Sequence, residues 1–276
     1  MTAQARGGAP AGSGRSVAAE PRGAAARWRV AAAPAAVVVG LLVVWELVVR
    51  VGGVDPLLLP APTHVAESLW EDRSMLAPDL LVTAWEAVAG LAAAIVLGAA
   101  IAVAMHLSPP VDRTLRPLVV GSQAVPIPVI APLVVFALGF GLAPKMLIVA
   151  LICFFPIVIN VADGLRESDP DARKLLRSLH ATPWQRLRFL DAPSALPQAF
   201  TGMRVAASVA VIGAVFAEWA GSESGLGHLV ITANGQLATA RAFAATVLLI
   251  LMAIALYTAF LALEKRVVSW APRSVS

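Results

Sequence analysis

Apolar residues in this chain arrive in long runs separated by short polar connectors, and the runs are of the length a helix needs to cross a bilayer. The first, 30–49, would span about 30 Å as a helix. It lies too deep in the chain and is too long for an ordinary signal peptide. Further runs at 80–105, 118–138, 146–161, 200–219 and 242–263 predict about six transmembrane helices in an all-α integral membrane protein. Two of them carry a small residue at every fourth position: Gly90, Ala94, Gly98 and Ala102 in the second, and Gly202, Ala206, Ala210 and Ala214 in the fifth. A spacing of four puts each set on one helix face, where another helix can approach closely.

The third run is interrupted by Pro126, Pro128 and Pro132. Prolines at membrane depth are tolerated where protein or an aqueous cavity satisfies the freed backbone groups, so this helix is read either as lining a pathway or as simply kinked. The connector 52–78 has a short amphipathic piece at 63–70, and 220–240 is too glycine-rich for a full span. Glu46 precedes Arg50 by four residues, the spacing of an interfacial ion pair.

Composition agrees with this pattern: 59% of residues are hydrophobic, only 14% are charged, and mean hydropathy is +0.80. A soluble core of 276 residues could not hide that much apolar surface. The net charge of +4 does not point to nucleic acid, because the basic residues sit in connectors rather than on one solvated face. With the N-terminus in the cytoplasm, the segments on that side hold five, two, six and three Lys or Arg, against Arg50, Arg73, Lys145 and Arg241 outside. The excess predicts cytoplasmic N- and C-termini, with 1–29 a disordered basic tail, 30–263 the membrane domain and 264–276 a short basic tail.

The same count puts the charged loop 163–197 in the cytoplasm. Local signals divide it into two helices. Ser168 or Asp169 can cap the first, followed by Pro170, and Leu175, Leu176 and Leu179 share a face. Thr182, Pro183 and Gln185 form a capping box for the second, which should run to about Leu190 and stop at Pro193. Trp184 and Leu187 are read as facing one way, with Arg186 and Arg188 toward water or a partner. Tethering between two spans makes a DNA-reading pair improbable, whereas amphipathic helices suit a protein groove.

With six spans and this loop about a hundred residues from the C-terminus, the sequence resembles the permease subunit of bacterial binding-protein-dependent ABC importers. Their loop carries an EAA-x3-G signature that docks on the ATPase. The matching positions are Lys174, Leu175, Leu176 and His180, then Leu190 and Ala192-Pro193, so the signature itself is degenerate. The flanking stretches DGLRESDP, RSLHATPWQRLRFLDAPSALP, TGMRVAASVAVIGAVFAEWAGSESGLGHL and AVPIPVIAPL are similar to the nitrate, sulfonate and taurine branch, over roughly residues 55 to 270. His180 stands where the family glycine would serve a turn with positive φ.

The resemblance implies a permease dimer in the bacterial inner membrane, two separate ATPase subunits, and a solute-binding protein outside. ATP and magnesium would belong to the ATPase. It also implies that Arg173, Lys174, Leu175, Leu176, Arg177, Leu179, His180, Thr182, Trp184 and Gln185 form the coupling surface. Ser122, Gln123, Pro126, Pro128, Ser208 and Glu218 become candidates for the solute path, with interhelix hydrogen bonding the plainer role for the polar ones. The substrates implied are small: sulfonates, taurine, nitrate, or a pyrimidine precursor of thiamine.

Enzyme chemistry in the chain is not expected. A phosphate-binding loop needs Gly before Lys, but Lys145, Lys174 and Lys265 follow Pro, Arg and Glu. His64, His106, His180 and His228 lie in separate connectors, and the single Cys153 sits in an apolar run, so no metal cluster or disulfide is predicted. An ion-coupled transporter or channel is the competing class, although the charges lie mainly at span ends rather than at mid-membrane. A membrane scaffold would leave the two-helix loop unexplained.

Overall fold

The computed structural model describes residues 24–270, and every regular element among them is helical. In chain order these are α1 (Ala24–Gly52), α2 (Pro62–Glu71), α3 (Arg73–Leu107), α4 (Pro109–Gly121), α5 (Ile127–Leu138), α6 (Leu142–Gly164), α7 (Pro170–Ser178), α8 (Pro183–Arg186), α9 (Ala192–Trp219), α10 (Leu226–Gly235) and α11 (Thr239–Val267). Five stretches are long and apolar enough to cross a membrane: α1, α3, α6, α8 with α9, and α11. A sixth crossing exists if α4 and α5 are counted as one span bent by 102°.

The core is the sandwich of α3, α6 and α9, and the small-residue faces explain why it is so tight. Gly90, Ala94, Gly98 and Ala102 are all buried, as are Gly202, Ala206, Ala210 and Ala214. A Cβ on Gly98 would come 2.8 Å from Ile157 Cγ2, and one on Gly202 would come 2.7 Å from the Pro156 carbonyl. Helix backbones therefore meet almost directly across α6, which maximises dispersion contact where lipid offers no hydrophobic driving force. Cys153 lies in this core with its thiol toward the Ala206 carbonyl at 3.4 Å.

Several boundaries differ from those the sequence suggests. The third span is not continuous. After α4 the chain makes a short 3-10 turn at Ser122–Ala124, Pro126 caps α5 with extended dihedrals, and the two helices diverge. Two prolines bracketing Ile127 remove the backbone donors that would carry one helix into the next.

The second loop helix does not stop at Pro193 either. It passes through a wide turn, Leu187–Asp191, with π-type hydrogen bonding, straight into α9. That wide turn breaks the regular i to i−4 ladder, so Pro193 falls at the start of a resumed helix, where its missing N–H costs nothing. Trp184 and Leu187 also part company: Trp184 is 61% exposed and Leu187 only 4%. The helix is only beginning at that point, and its inward side is taken by Leu187 and Asp191.

Of the reading of 1–29 as a disordered tail, residues 1–23 lie outside the described residues and 24–29 already belong to α1. At the other end α11 continues to Val267, and 271–276 fall outside. Glu46 pairs with Arg50 on α1 and also accepts from the Thr63 hydroxyl at 3.0 Å, tying α1 to α2.

Candidate functional site

The break between α4 and α5 opens a cleft of about 370 Å³ at mid-height of the bundle. Ser122, Gln123, Val125 and Ile127 form one wall; Leu151, Ile152, Phe155 and Pro156 of α6 and Val205 and Val209 of α9 form the other. Its polar groups are a hydroxyl and a carboxamide, and no charged side chain lines it. Ser122 spends its hydroxyl proton on the Val119 carbonyl at 2.7 Å, leaving oxygen lone pairs free to accept. Gln123 is exposed and offers both a donor and an acceptor. Such a cleft suits a small solute with an apolar body and a few hydrogen-bonding groups.

At the end of the bundle where α3 finishes, the two-helix loop is fastened by one residue. Asp191, buried in the wide turn before α9, accepts from Ser168 Oγ at 2.6 Å and from Arg173 Nη2 at 3.0 Å, and faces His106 Nε2 at 2.9 Å. Arg173 also donates to Ser168 Oγ and to the Leu165 carbonyl. One carboxylate, in the turn leading into α9, thus joins α3, α7 and the connector between α6 and α7 through charge-assisted bonds. A second set braces the same end: Arg116 bridges Asp112 and Asp163, each at 3.2 Å, and Arg166 meets Asp112 at 2.6 Å.

The loop's caps form as its sequence predicts. Asp169 accepts from the Asp171 amide at 2.8 Å, and Thr182 and Gln185 make both halves of a capping box. His180 adopts φ of 55°, the left-handed geometry expected of a position where glycine would be at home. Leu175, Leu179, Trp184 and Phe189 all remain exposed.

At the opposite end a buried polar network joins α3, α6, α9 and the segment before α10. Lys145 Nζ donates to Glu86 Oε1 at 2.5 Å and to Ser222 Oγ at 2.6 Å. Thr83 donates to Glu218 Oε1 at 2.6 Å and accepts from the Leu226 amide at 2.8 Å. The other Glu218 oxygen receives the Gly227 and His228 amides at 2.5 and 3.2 Å, so a side chain from α9 caps the first turn of α10. Glu86 is 3% exposed and Glu218 1%.

These placements sort the sequence candidates. Ser122 and Gln123 are brought together on the cleft, with Pro126 and Pro128 at the break that creates it. Ser208 lies elsewhere, on an apolar groove of about 590 Å³ between α9 and α11, and gives its hydroxyl to the Arg204 carbonyl at 3.1 Å. Glu218 is enclosed by protein and bonded on both oxygens, away from the cleft. Sequence reading missed Asp191, Ser168, His106, Glu86, Thr83 and Lys145 as functional partners. Their separations in the chain, up to 135 residues for Thr83 and Glu218, leave no local signal, although an acidic residue inside the 80–105 run was itself a warning.

A bundle of apolar spans, a bent half-span over a mid-height cleft and an anchored polar loop at one end together define a multi-pass membrane permease. The chain belongs to the family of binding-protein-dependent transport system inner membrane components, whose model matches residues 94–269. It is 35% identical over 224 residues to a probable ABC transporter permease protein of Haemophilus influenzae, covering 81% of this chain and 91% of that one. It is 34% identical to a formylaminopyrimidine transport permease protein of Halalkalibacterium halodurans, covering 83% and 92%. A taurine transport system permease protein of Escherichia coli is 31% identical, covering 83% and 86%. The family and these relatives make the chain an inner-membrane permease of the ABC transporter type.

Proposed function

We propose that this chain is the membrane subunit of an ATP-driven importer, acting as one half of a permease dimer. In this reading the 163–197 loop is cytoplasmic and rests on a separate ATPase subunit, and a binding protein delivers solute at the opposite face. The observation that carries it is the loop: it is tied to α3 and to the start of α9 through Asp191, yet it leaves Leu175, Leu179, Trp184 and Phe189 exposed. Large apolar side chains held out on a polar loop are what a docking element needs, and the rigid tie would carry movement of the partner into α3, α6 and α9.

Among the solutes that relatives are named for, the cleft favours a neutral heterocycle such as an aminopyrimidine over a bare sulfonate. Taking an anion out of water without a cationic partner is costly, and the lining offers only Ser122 and Gln123 as polar groups. An apolar wall with a hydroxyl and a carboxamide matches a flat ring with a few polar edges.

The test is uptake by proteoliposomes holding the permease, its ATPase and its binding protein. Uptake of a formylaminopyrimidine that requires ATP and is not displaced by taurine supports the reading. ATP-dependent uptake of taurine that ignores the pyrimidine would overturn the substrate assignment. Uptake that persists without ATP, with no ATPase held by the loop, would overturn the importer itself.

A further inference from the structure

A second cavity, of about 330 Å³, lies where α3 ends, between the start of α4 and the two loop helices. It is lined by His106, Arg173, Arg177, Arg186 and Asp191, with Leu107, Pro109 and Pro183 as its apolar part. Asp191 is already satisfied by Ser168, Arg173 and His106. That leaves Arg177 and Arg186 facing the same space with no carboxylate partner among the described residues. The Nε atoms of both Arg173 and Arg186 are buried and donate to nothing. Arg177 is exposed and Arg186 half-buried, so it is the two buried Nε–H donors that are costly unless an acceptor-rich anion occupies the hollow.

We propose that this cavity is a binding site for a phosphate ester group. Guanidinium groups match phosphate oxygens in geometry as well as charge, and several of them around one hollow are the usual way proteins hold a phosphodiester. The cavity is roomier than a bare phosphate ion needs, and its Leu107 and Pro109 wall stands at the last turn of a membrane span. In the proposed site an anionic lipid headgroup would set its phosphate among the arginines and its glycerol carbons against the apolar wall. An occupied site would strap α7 and α8 to the end of α3, and so would make the loop's rigidity depend on the lipid around it. This role for the loop rests on the importer reading, whereas the binding itself does not.

The permease, in complex with its ATPase, is placed in phosphatidylcholine nanodiscs with increasing phosphatidylglycerol, and retained lipid is read by native mass spectrometry. Binding of inorganic phosphate is measured in phosphatidylcholine alone. Loss of one charged hydrogen-bonding group predicts about tenfold weaker phosphatidylglycerol retention in Arg186→Gln. Arg186→Lys should retain more than Arg186→Gln, and Arg188→Gln, on the exposed side of the same turn, should match the wild type. If inorganic phosphate binds with the same Arg186 dependence and the lipid does not, the phosphate site stands and its source is the cytosol. If neither ligand responds to Arg186, or if Arg186→Gln only releases the ATPase, the cavity receives something other than phosphate and the proposal fails. Because lipid retention is read without ATP, it separates failure of this site from failure of the importer reading.

Discussion

Asp191 and Arg173 meet at 3.0 Å although one lies in the turn before a membrane span and the other on a loop helix eighteen residues earlier. That contact joins the first loop helix to the start of the span, beside the bonds Asp191 makes to Ser168 and His106. Asp191→Asn keeps the shape but removes the charge, and Arg173 and Ser168 lose a charge-assisted acceptor worth about 1.5–3 kcal/mol. The expected outcome is faster hydrogen exchange across α7 and α8, with transport reduced about tenfold and α3, α6 and α9 unchanged. Exchange that stays slow in the variant would show the loop to be held by other contacts.

His180 has φ of 55° without being glycine. Replacing it by glycine relieves about 1 kcal/mol of backbone strain but adds a similar amount of unfolded-chain freedom, so His180→Gly should leave both stability and transport near the wild-type level. His180→Val, with a β-branched side chain in the same geometry, should weaken the loop and transport clearly. Loss of transport in His180→Gly with normal assembly would assign the imidazole itself a role.

Glu86 and Lys145 form a buried pair at 2.5 Å between α3 and α6. Removing one partner strands the other, at a cost of about 3–5 kcal/mol, whereas removing both is far milder. Glu86→Gln and Lys145→Met should each lower the detergent melting temperature sharply, and the double variant should recover most of the loss. Additive losses in the double variant would mean that the two side chains are stabilised independently.

Gly202 leaves no room for a side chain between α9 and α6. Overpacking of about 1–3 kcal/mol is expected for Gly202→Val, read as reduced thermal stability of the purified permease. Gly40, which has nothing within reach of an added Cβ, should accept alanine without effect.

At the other end Arg241 bonds Asp72 at 2.8 Å, and this hydrogen bond holds the Asp72 carboxyl below its usual range. A folded-state pKa below the unfolded value means that the contribution is fully present above the ordinary value of 3.8 and is lost as pH falls beneath it. The α2 to α11 contact should therefore be insensitive to pH from neutrality to about 5 and weaken only in stronger acid. Asp72→Asn should be weaker at neutral pH and lack that acid response, as amide exchange in α2 would report.

What the sequence reveals about this molecule follows from range. The spans announce themselves through runs of apolar residues, and the two small-residue faces through a spacing of four, because both depend on one helix at a time. Thr182 and Gln185, three residues apart, are legible for the same reason. The bend after Ser122 is only half visible: the prolines predict a disturbance, but its angle is set by α6 and α9 packing beneath it. Asp191 is invisible, because its partners His106, Ser168 and Arg173 come from two other helices and a connector, and no local pattern marks them. Trp184 and Leu187 show the opposite failure, in which a helical spacing was assumed across a place where the helix changes its winding.

That change of winding at Leu187–Asp191 has a geometric consequence. A π-type turn takes one residue more than an α-turn, and one residue of α-helix amounts to about 100° of rotation. The turn therefore sets the phase between the loop helix and the span like the offset between two crankpins on a shaft. It points Asp191 inward at His106 while Phe189, two residues earlier, points outward. Shortening the turn by one residue would leave every span intact and every loop residue present, yet would swing the loop out of step with the bundle it is built to turn.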